Sequence, residues 1–207
     1  MTLTELATRL NSRHPGGGKL PPILLLTDGV RLPDPLPAAA TLPRGAGVIL
    51  RHYDDPDRPA LARELASLCR HRGLRLLIGG DGPLAMRVAA EGVHFPERRS
   101  AEARRWRRDR PQWIITAAAH SRRGLVAAWR AGSDAALLGP VFATESHPDV
   151  RPLGAVRFSA LNRAARRMLR DFPVYALGGL TSDTAPRLLN CGAAGLAAIA
   201  GLSAPKA

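Results

Sequence analysis

Eight short apolar segments alternate along this chain with segments of helical pattern, and most of them end at glycine, proline or a charged residue. Near-continuous apolar runs of this length are typical of strands buried on both faces, as the strands of a parallel sheet are. Their alternation with helices predicts an α/β fold, a single-domain (β/α)8 TIM barrel. A doubly wound sheet of about five or six strands is the alternative. The predicted strands are Ile23–Thr27, Gly47–Arg51, Arg75–Ile78, Gly92–Phe95, Trp113–Ala117, Ala135–Leu138, Val174–Leu180 and Gly192–Leu202.

Between these strands, apolar residues recur at helical spacing. In Pro59–His71, the side chains of Leu61, Leu65 and Leu68 share one face of a helix. The other predicted helices are Ser121–Ala131, Phe158–Asp171 and Ser182–Asn190.

Two stretches lack that spacing. The Pro-rich stretch Leu32–Pro43 predicts a short, irregular segment in place of the first barrel helix. The N-terminal part contains the polar, Gly-rich stretch Asn11–Lys19. We therefore predict a flexible lead-in over residues 1–20 and the barrel over residues 21–207.

The composition fits one domain with a full core. The chain has 207 residues, of which 45% are hydrophobic. No apolar run reaches the length of about 18 residues that crosses a membrane, so no membrane partner is expected. The two cysteines, Cys69 and Cys191, lie in apolar contexts without metal-ligand spacing. Buried, inert thiols are the prediction, and a cytoplasmic location follows from it.

The formal net charge of +13 raises the question of a nucleic-acid partner. Lysine occurs only at Lys19 and Lys206, so the charge reflects an arginine-rich composition. One dense cluster surrounds Trp106, where a barrel has an outer helix, and a solvated helix face is expected there. Nonspecific polyanion binding is the alternative. No nucleic-acid-binding motif accompanies the cluster, so a nucleic-acid partner is not expected. The cluster consists of Arg98, Arg99, Arg104, Arg105, Arg107, Arg108 and Arg110.

The last two predicted strands carry a phosphate-binding pattern. One ends in Gly178-Gly179, where no side chain covers the backbone N–H groups, and the other ends in small residues. In (β/α)8 barrels, the loops after strands seven and eight usually form the phosphate site. The sequence therefore predicts that a phosphorylated ligand binds at the carboxyl end of the barrel.

The segment Asp134–Gly154, which reads DAALLGPVFATESHPDVRPLG, resembles the loop after strand six of the thiamine phosphate synthase and TenI superfamily. The later segments YALGGL and GAAGLAAIAGL resemble the same family, as do LLLTD, VILR, GVHF and AAHS earlier in the chain. The resemblance covers about Ile23 to Leu202 and is more specific in the C-terminal half. It implies a (β/α)8 barrel. Synthase members join an aminopyrimidine pyrophosphate to a thiazole phosphate with magnesium and release pyrophosphate.

Carried over residue by residue, the resemblance implies roles for the matching positions and for some residues that stand at substituted ones. Arg51, His147 and Arg151 would hold the pyrophosphate, and Asp81 would bind Mg²⁺. The candidate catalytic residues are Arg51, His147 and, from its place after strand five, His120. The implied contacts to substrate and phosphate are Arg51, Thr144, Ser146, His147, Arg151, Gly154, Gly178, Gly179, Ile199 and Ala200.

Several positions depart from the family pattern. The family's lysines are absent between Lys19 and Lys206, and arginine stands where a second magnesium-binding aspartate is expected. The substituted positions are Tyr53, Gly80, Arg98, Arg99, Ala118, Ser146 and His147.

These departures leave two functions open besides polyanion binding. One is synthase chemistry. The other is a TenI-like thiazole tautomerase or a non-catalytic thiazole phosphate binder. Pro140 replaces the TenI histidine, which leaves His120 as the available acid or base. The expected partners are phosphorylated small molecules, and a homo-oligomer is an open alternative.

Overall fold

The computed structural model describes residues 1–15, 18–144 and 150–199. Eight parallel strands close into a barrel in sequence order, with β1 paired to β8. The predicted (β/α)8 barrel is confirmed, and the doubly wound alternative is wrong. The strands are β1 (Ile23–Leu26), β2 (Gly47–Leu50), β3 (Arg75–Gly79), β4 (Gly92–Phe95), β5 (Ile114–Ala119), β6 (Ala135–Leu138), β7 (Val174–Leu177) and β8 (Gly195–Ala198).

Helices cover the outside of the barrel, and their lengths vary widely. The α-helices are α1 (Leu3–Arg13), α2 (Leu36–Ala40), α3 (Arg58–Arg72), α4 (Gly82–Arg87), α5 (Ala103–Asp109), α6 (Arg122–Arg130) and α7 (Gly154–Met168). Two 3₁₀ helices span Glu97–Glu102 and Ala185–Leu188. In the ranges that the structure describes, no helix is long and apolar enough to cross a membrane.

The first part of the chain is a packed helix, so the prediction of a flexible lead-in was wrong for residues 3–13. Thr2 and Glu5 form a reciprocal capping box at its N-terminus. Leu3, Leu6 and Leu10 are buried on one face of α1, which lies against β1 and β8. The helical spacing of these leucines is visible in the sequence and favours a helix, although a Gly-rich stretch follows it.

The predicted helix Ser182–Asn190 is also wrong, because only the 3₁₀ helix Ala185–Leu188 forms there. The Thr184 hydroxyl donates to the Gly179 carbonyl, and the Thr181 amide donates to that hydroxyl. Pro186 has no N–H for a helical hydrogen bond. Side-chain to backbone hydrogen bonds therefore compete with a regular helix.

The core has an inner and an outer layer. Inside the barrel, Leu24, Leu26, Ile49, Leu137 and Tyr175 pack together. The alternate strand residues face the helices and join a larger cluster that includes α1. The barrel is therefore filled with side chains, and the open ends of its strands are where a ligand can bind.

Within the arginine cluster, several side chains are engaged. Arg107 pairs with Asp134, and Arg99 pairs with Glu102. Arg105 lies over the ring of Trp106, its guanidinium carbon 5.2 Å from the ring centroid. The cluster spans the 3₁₀ helix and α5, where an outer helix was expected. Polyanion binding by this surface stays a prediction.

The buried cysteines are confirmed. Cys69 and Cys191 are both free and buried. Burial raises the pKa of the Cys69 thiol to about 12, so the thiol stays protonated at neutral pH.

Candidate active site at the carboxyl end of the barrel

A cavity of about 220 Å³, lined by both apolar and charged side chains, lies at the carboxyl end of the strands. Residues at the ends of all strands except β3 contribute to its wall. It contains Arg51 after β2, His120 after β5, Thr144 after β6, Gly178 after β7 and Ile199 after β8. The structure thus brings together five of the residues that the sequence proposed for the site.

Two glycines form a narrow backbone turn after β7. Gly178 and Gly179 have φ values of +96° and +65°, which favour glycine. A Cβ on Gly179 would lie 2.5 Å from the carbonyl oxygen of Ala143. Among the described residues, neither glycine amide donates a hydrogen bond. This turn therefore has N–H groups that can donate hydrogen bonds to an anion.

The Thr144 side chain adds a hydroxyl beside that turn. Its Oγ1 is buried and has no hydrogen-bond partner among the described residues. A Cβ on Gly178 would lie 3.4 Å from Thr144 Cγ2, so the two residues adjoin. Buried polar groups are normally satisfied, and an unpaired hydroxyl in a cavity indicates a place for a polar ligand atom.

Arg51 is held at the end of β2 by hydrogen bonds to β1. Its Nε donates to the Thr27 carbonyl at 2.9 Å, and its Nη2 lies 3.2 Å from Asp28 Oδ2. The Thr27 hydroxyl accepts from the Arg51 amide and also contacts His52 Nδ1 at 2.8 Å. Burial lowers the pKa of Arg51, with Tyr53 and Asp28 opposing that effect. The guanidinium is thus fixed in place before any ligand arrives.

Asp28 connects Arg51 to a second arginine. Arg31 Nη2 also donates to Asp28 Oδ2, and the amides of Val30 and Arg31 donate to Oδ1. Burial alone would raise the pKa of Asp28, but these hydrogen bonds and the Arg31 charge hold it at about 2. The carboxylate therefore stays ionised and keeps both guanidinium groups at the cavity.

Two histidines line the cavity, and each makes a hydrogen bond through Nδ1. His120 Nδ1 donates to the Gly139 carbonyl at 2.6 Å, since a carbonyl can only accept. In the neutral ring, Nε2 of His120 then carries the lone pair. His94 is buried and contacts the Thr116 hydroxyl through Nδ1 at 2.9 Å. Burial, followed by the nearby Arg51 charge, lowers the pKa of His94 to about 3.

Asp81 lies outside this cavity, in a neighbouring one of about 200 Å³ with Arg99 and Arg105. Its Oδ1 accepts from the Leu84 amide at 2.8 Å and caps α4. Its Oδ2 lies 3.7 Å from Arg58 Nη1. No cluster of three or more metal-ligating side chains occurs in the described ranges. One oxygen of this carboxylate accepts a hydrogen bond from a backbone amide, and the other faces a guanidinium group. The carboxylate therefore does not fit Mg²⁺, which needs carboxylate oxygens free for coordination.

The remaining predicted residues divide into two groups. Gly154 begins α7, and its amide donates to the Val141 carbonyl at 2.8 Å, so that N–H is not free for a phosphate. Arg151 is exposed, and neither residue lines the cavity. Ser146, His147 and Ala200 lie outside the described residues.

Several cavity residues were not proposed for the site from the sequence, among them the polar residues Arg31, Tyr53, His94 and Glu97. Arg31 and Tyr53 line the cavity, and so does Glu97, whose Oε2 accepts from the His120 amide at 2.7 Å. Glu97 and Tyr53 each stand within three residues of a predicted strand end, which is a usable signal in a barrel. For Arg31, the signal is its spacing of three residues from Asp28.

A closed (β/α)8 barrel with a cavity at the carboxyl end of its strands, lined in part by arginine and histidine, has the architecture of a barrel enzyme. The protein is further defined by its sequence. The model of the family described as thiamine monophosphate synthase matches residues 38–202, and the chain belongs to that family.

Curated relatives agree with this assignment. A protein of Aquifex aeolicus named putative thiamine-phosphate synthase 2 is 35% identical over 154 residues, covering 73% of this chain and 80% of that protein. The thiamine-phosphate synthase of Alcanivorax borkumensis is 32% identical over 183 residues, covering 84% of this chain and 81% of the relative. The solved structure of a thiamine phosphate pyrophosphorylase from Pyrococcus furiosus is 24% identical and superposes with a TM-score of 0.72. It covers 90% of this chain and 89% of that one, and supports the fold.

Proposed function

We propose that this chain is a thiamine phosphate synthase. It would join an aminopyrimidine pyrophosphate to a thiazole phosphate and release pyrophosphate. The observation that carries the proposal is one cavity with an anion-binding feature on each side. Gly178 and Thr144 lie on one wall, and Arg51 lies on another.

The thiazole phosphate is assigned to the wall formed by the ends of β6, β7 and β8. Amides and a hydroxyl that have no partner among the described residues suit a phosphate, because each can donate to an anionic oxygen. Ile199 lies at the end of β8 on the same cavity. Ser146 and Ala200 remain part of the proposal through the family resemblance.

The pyrophosphate is assigned to the wall formed by β1 and β2. In the reaction, the bond between the aminopyrimidine methylene carbon and the pyrophosphate oxygen breaks, and the electron pair leaves with the oxygen. The thiazole ring nitrogen then donates its lone pair to that carbon. Arg51 would stabilise the charge that develops on the leaving oxygen, with His147 and Arg151 as further proposed contacts.

A coupling assay tests this proposal. Purified protein is mixed with the two substrates, with and without Mg²⁺, and thiamine phosphate is measured. We expect product from the wild type and a roughly 10- to 100-fold lower kcat/KM for Arg51→Gln, since a hydrogen bond to a charged group is lost. Arg44→Gln is the matched control, because Arg44 is exposed at the amino end of β2. Absence of product, beside an active reference synthase in the same buffer, would reject the proposal.

A second candidate function follows from His120. Its fixed tautomer leaves Nε2 able to accept a proton within the cavity, as a TenI-like thiazole tautomerase needs. In that reaction, His120 removes a proton from one ring position and returns it to another. Isomerisation of a thiazole carboxylate phosphate, followed by proton NMR, is the test. Turnover that His120→Asn abolishes, with no coupling product, would favour this candidate over the synthase.

The same proposal extends to setting and partners. Phosphorylated small molecules are the proposed ligands, and the cytoplasm is the proposed location. Two free, buried cysteines support that location, since disulfides are uncommon there.

A further inference from the structure

The place where a divalent cation is expected already holds a cation of the protein itself. Arg58 is buried at the start of α3, and its Nη2 donates to the carbonyls of Gly79 and Leu50. Its Nη1 faces Asp81 at 3.7 Å. Its guanidinium carbon lies 5.5 Å from the ring centroid of Tyr53, which separates it from the main cavity. A metal ion at Asp81 would have to share this carboxylate with a fixed positive charge.

The main cavity has two guanidinium groups arranged by one carboxylate. Asp28 Oδ2 accepts from Nη2 of both Arg31 and Arg51. Among the described residues, Nη1 of Arg51 and the Nε and Nη1 atoms of Arg31 have no hydrogen-bond partner. Each guanidinium thus keeps N–H donors for a second anion. Planar guanidinium groups match the oxygen geometry of phosphates, and a pair of them can hold a diphosphate through several charged hydrogen bonds.

We propose that Arg31 and Arg51, tied together by Asp28, bind the substrate's pyrophosphate directly, and that no divalent cation at Asp81 takes part. This inference rests on the proposed function, since it specifies how that substrate's pyrophosphate is neutralised. Arg31 is the new participant. Its side chain remains 31% exposed at the rim, so it can meet an incoming anion before Arg51 does.

Calorimetry with inorganic pyrophosphate tests the proposal without relying on catalysis. The protein is treated with EDTA and titrated in metal-free buffer, then titrated again with Mg²⁺ present. We expect saturable binding in EDTA, with an affinity that Mg²⁺ does not improve. Binding that occurs only with Mg²⁺, or that Mg²⁺ strengthens 10-fold or more, would overturn the proposal.

Two variants and a control locate the contact. Arg31→Met should weaken pyrophosphate binding in EDTA roughly 10- to 100-fold, the loss expected for a hydrogen bond between charged groups. Arg104→Met removes an exposed arginine from α5 and should leave the affinity unchanged. Asp81→Asn keeps a side-chain oxygen that can cap α4, and it should bind pyrophosphate with the wild-type affinity. An unchanged affinity in Arg31→Met, or a large loss in Asp81→Asn, would contradict the proposal.

The two proposals fail in different ways. Pyrophosphate binding in EDTA without any thiamine phosphate formation would leave the arginine site standing and reject synthase activity. Product that forms only with Mg²⁺ would support the synthase and reject the arginine site. Because Arg31 lies at the rim, its replacement should not prevent folding, and an unchanged thermal unfolding temperature checks this.

Discussion

The Thr144 hydroxyl, which is unpaired among the described residues, leads to a prediction in which stability and binding change in opposite directions. A buried polar group without a partner costs about 1–3 kcal/mol, so its removal should not destabilise the protein. Valine has nearly the same shape as threonine and lacks the hydroxyl. We therefore expect Thr144→Val to unfold at the wild-type temperature or up to about 4 °C higher, the shift that about 1 kcal/mol gives at this chain length.

Ligand binding should respond in the other direction. If the hydroxyl donates to the thiazole phosphate, the variant loses a hydrogen bond to a charged group, worth about 1.5–3 kcal/mol. The dissociation constant for thiazole phosphate should then rise roughly 10- to 100-fold in a calorimetric titration. A variant that is as stable as the wild type but binds weakly would show that the hydroxyl contacts the ligand and that the loss of binding is not a folding defect.

Ser133→Ala is the matched control for Thr144→Val. Ser133 Oγ is also buried without a partner among the described residues, but it lies before β6, at the opposite end of the barrel. Its loss should leave stability unchanged or higher and leave thiazole phosphate affinity unchanged. The reasoning is refuted if Thr144→Val binds within twofold of the wild type, or if its unfolding temperature falls by more than about 4 °C.

Three other predictions concern packing, titration and backbone conformation. Leu6→Ala should lower the free energy of unfolding by about 2–5 kcal/mol, and the exposed Arg9→Ala by less than about 0.5 kcal/mol, in urea titrations. Because the pKa of His94 is about 3 when folded and ordinarily 6.5, its protonation favours the unfolded state. Stability should therefore fall below pH 6.5 by up to about 1.4 kcal/mol per pH unit, and His94→Gln should show a shallower decline. Gly179→Ala forces a side chain into a positive-φ position and should cost about 1–3 kcal/mol in thermal unfolding, with weaker thiazole phosphate binding.

Much of the barrel could be predicted because its strands are short, apolar and interrupted by turn residues. All eight strands were located, although the seventh ends at Leu177 rather than Leu180, where positive-φ glycines begin. The N-terminal helix was not predicted, because the Gly-rich stretch after it indicates a loop. The helical spacing of Leu3, Leu6 and Leu10 was the signal for it.

The site was harder to predict, because its geometry depends on contacts between separate strands. Arg51 and Thr144, which the family motifs pointed to, both line the cavity. The sequence could not reveal that Asp81 turns to cap α4 or that Arg58 faces it from the next helix. Nor could it show that Asp28 joins Arg31 to Arg51, since this contact needs the β1–β2 register.

The distribution of amines has a practical consequence for handling the protein. Among the described residues, the primary amines are the amino terminus and Lys19, which lies just before β1 at the end of the barrel away from the cavity. Amine-reactive reagents modify primary amines and leave guanidinium groups unmodified, so the arginines at the cavity should keep their charge when the protein is coupled to a surface. Substrates could then be flowed over the coupled protein without chemical modification of the arginine-lined mouth.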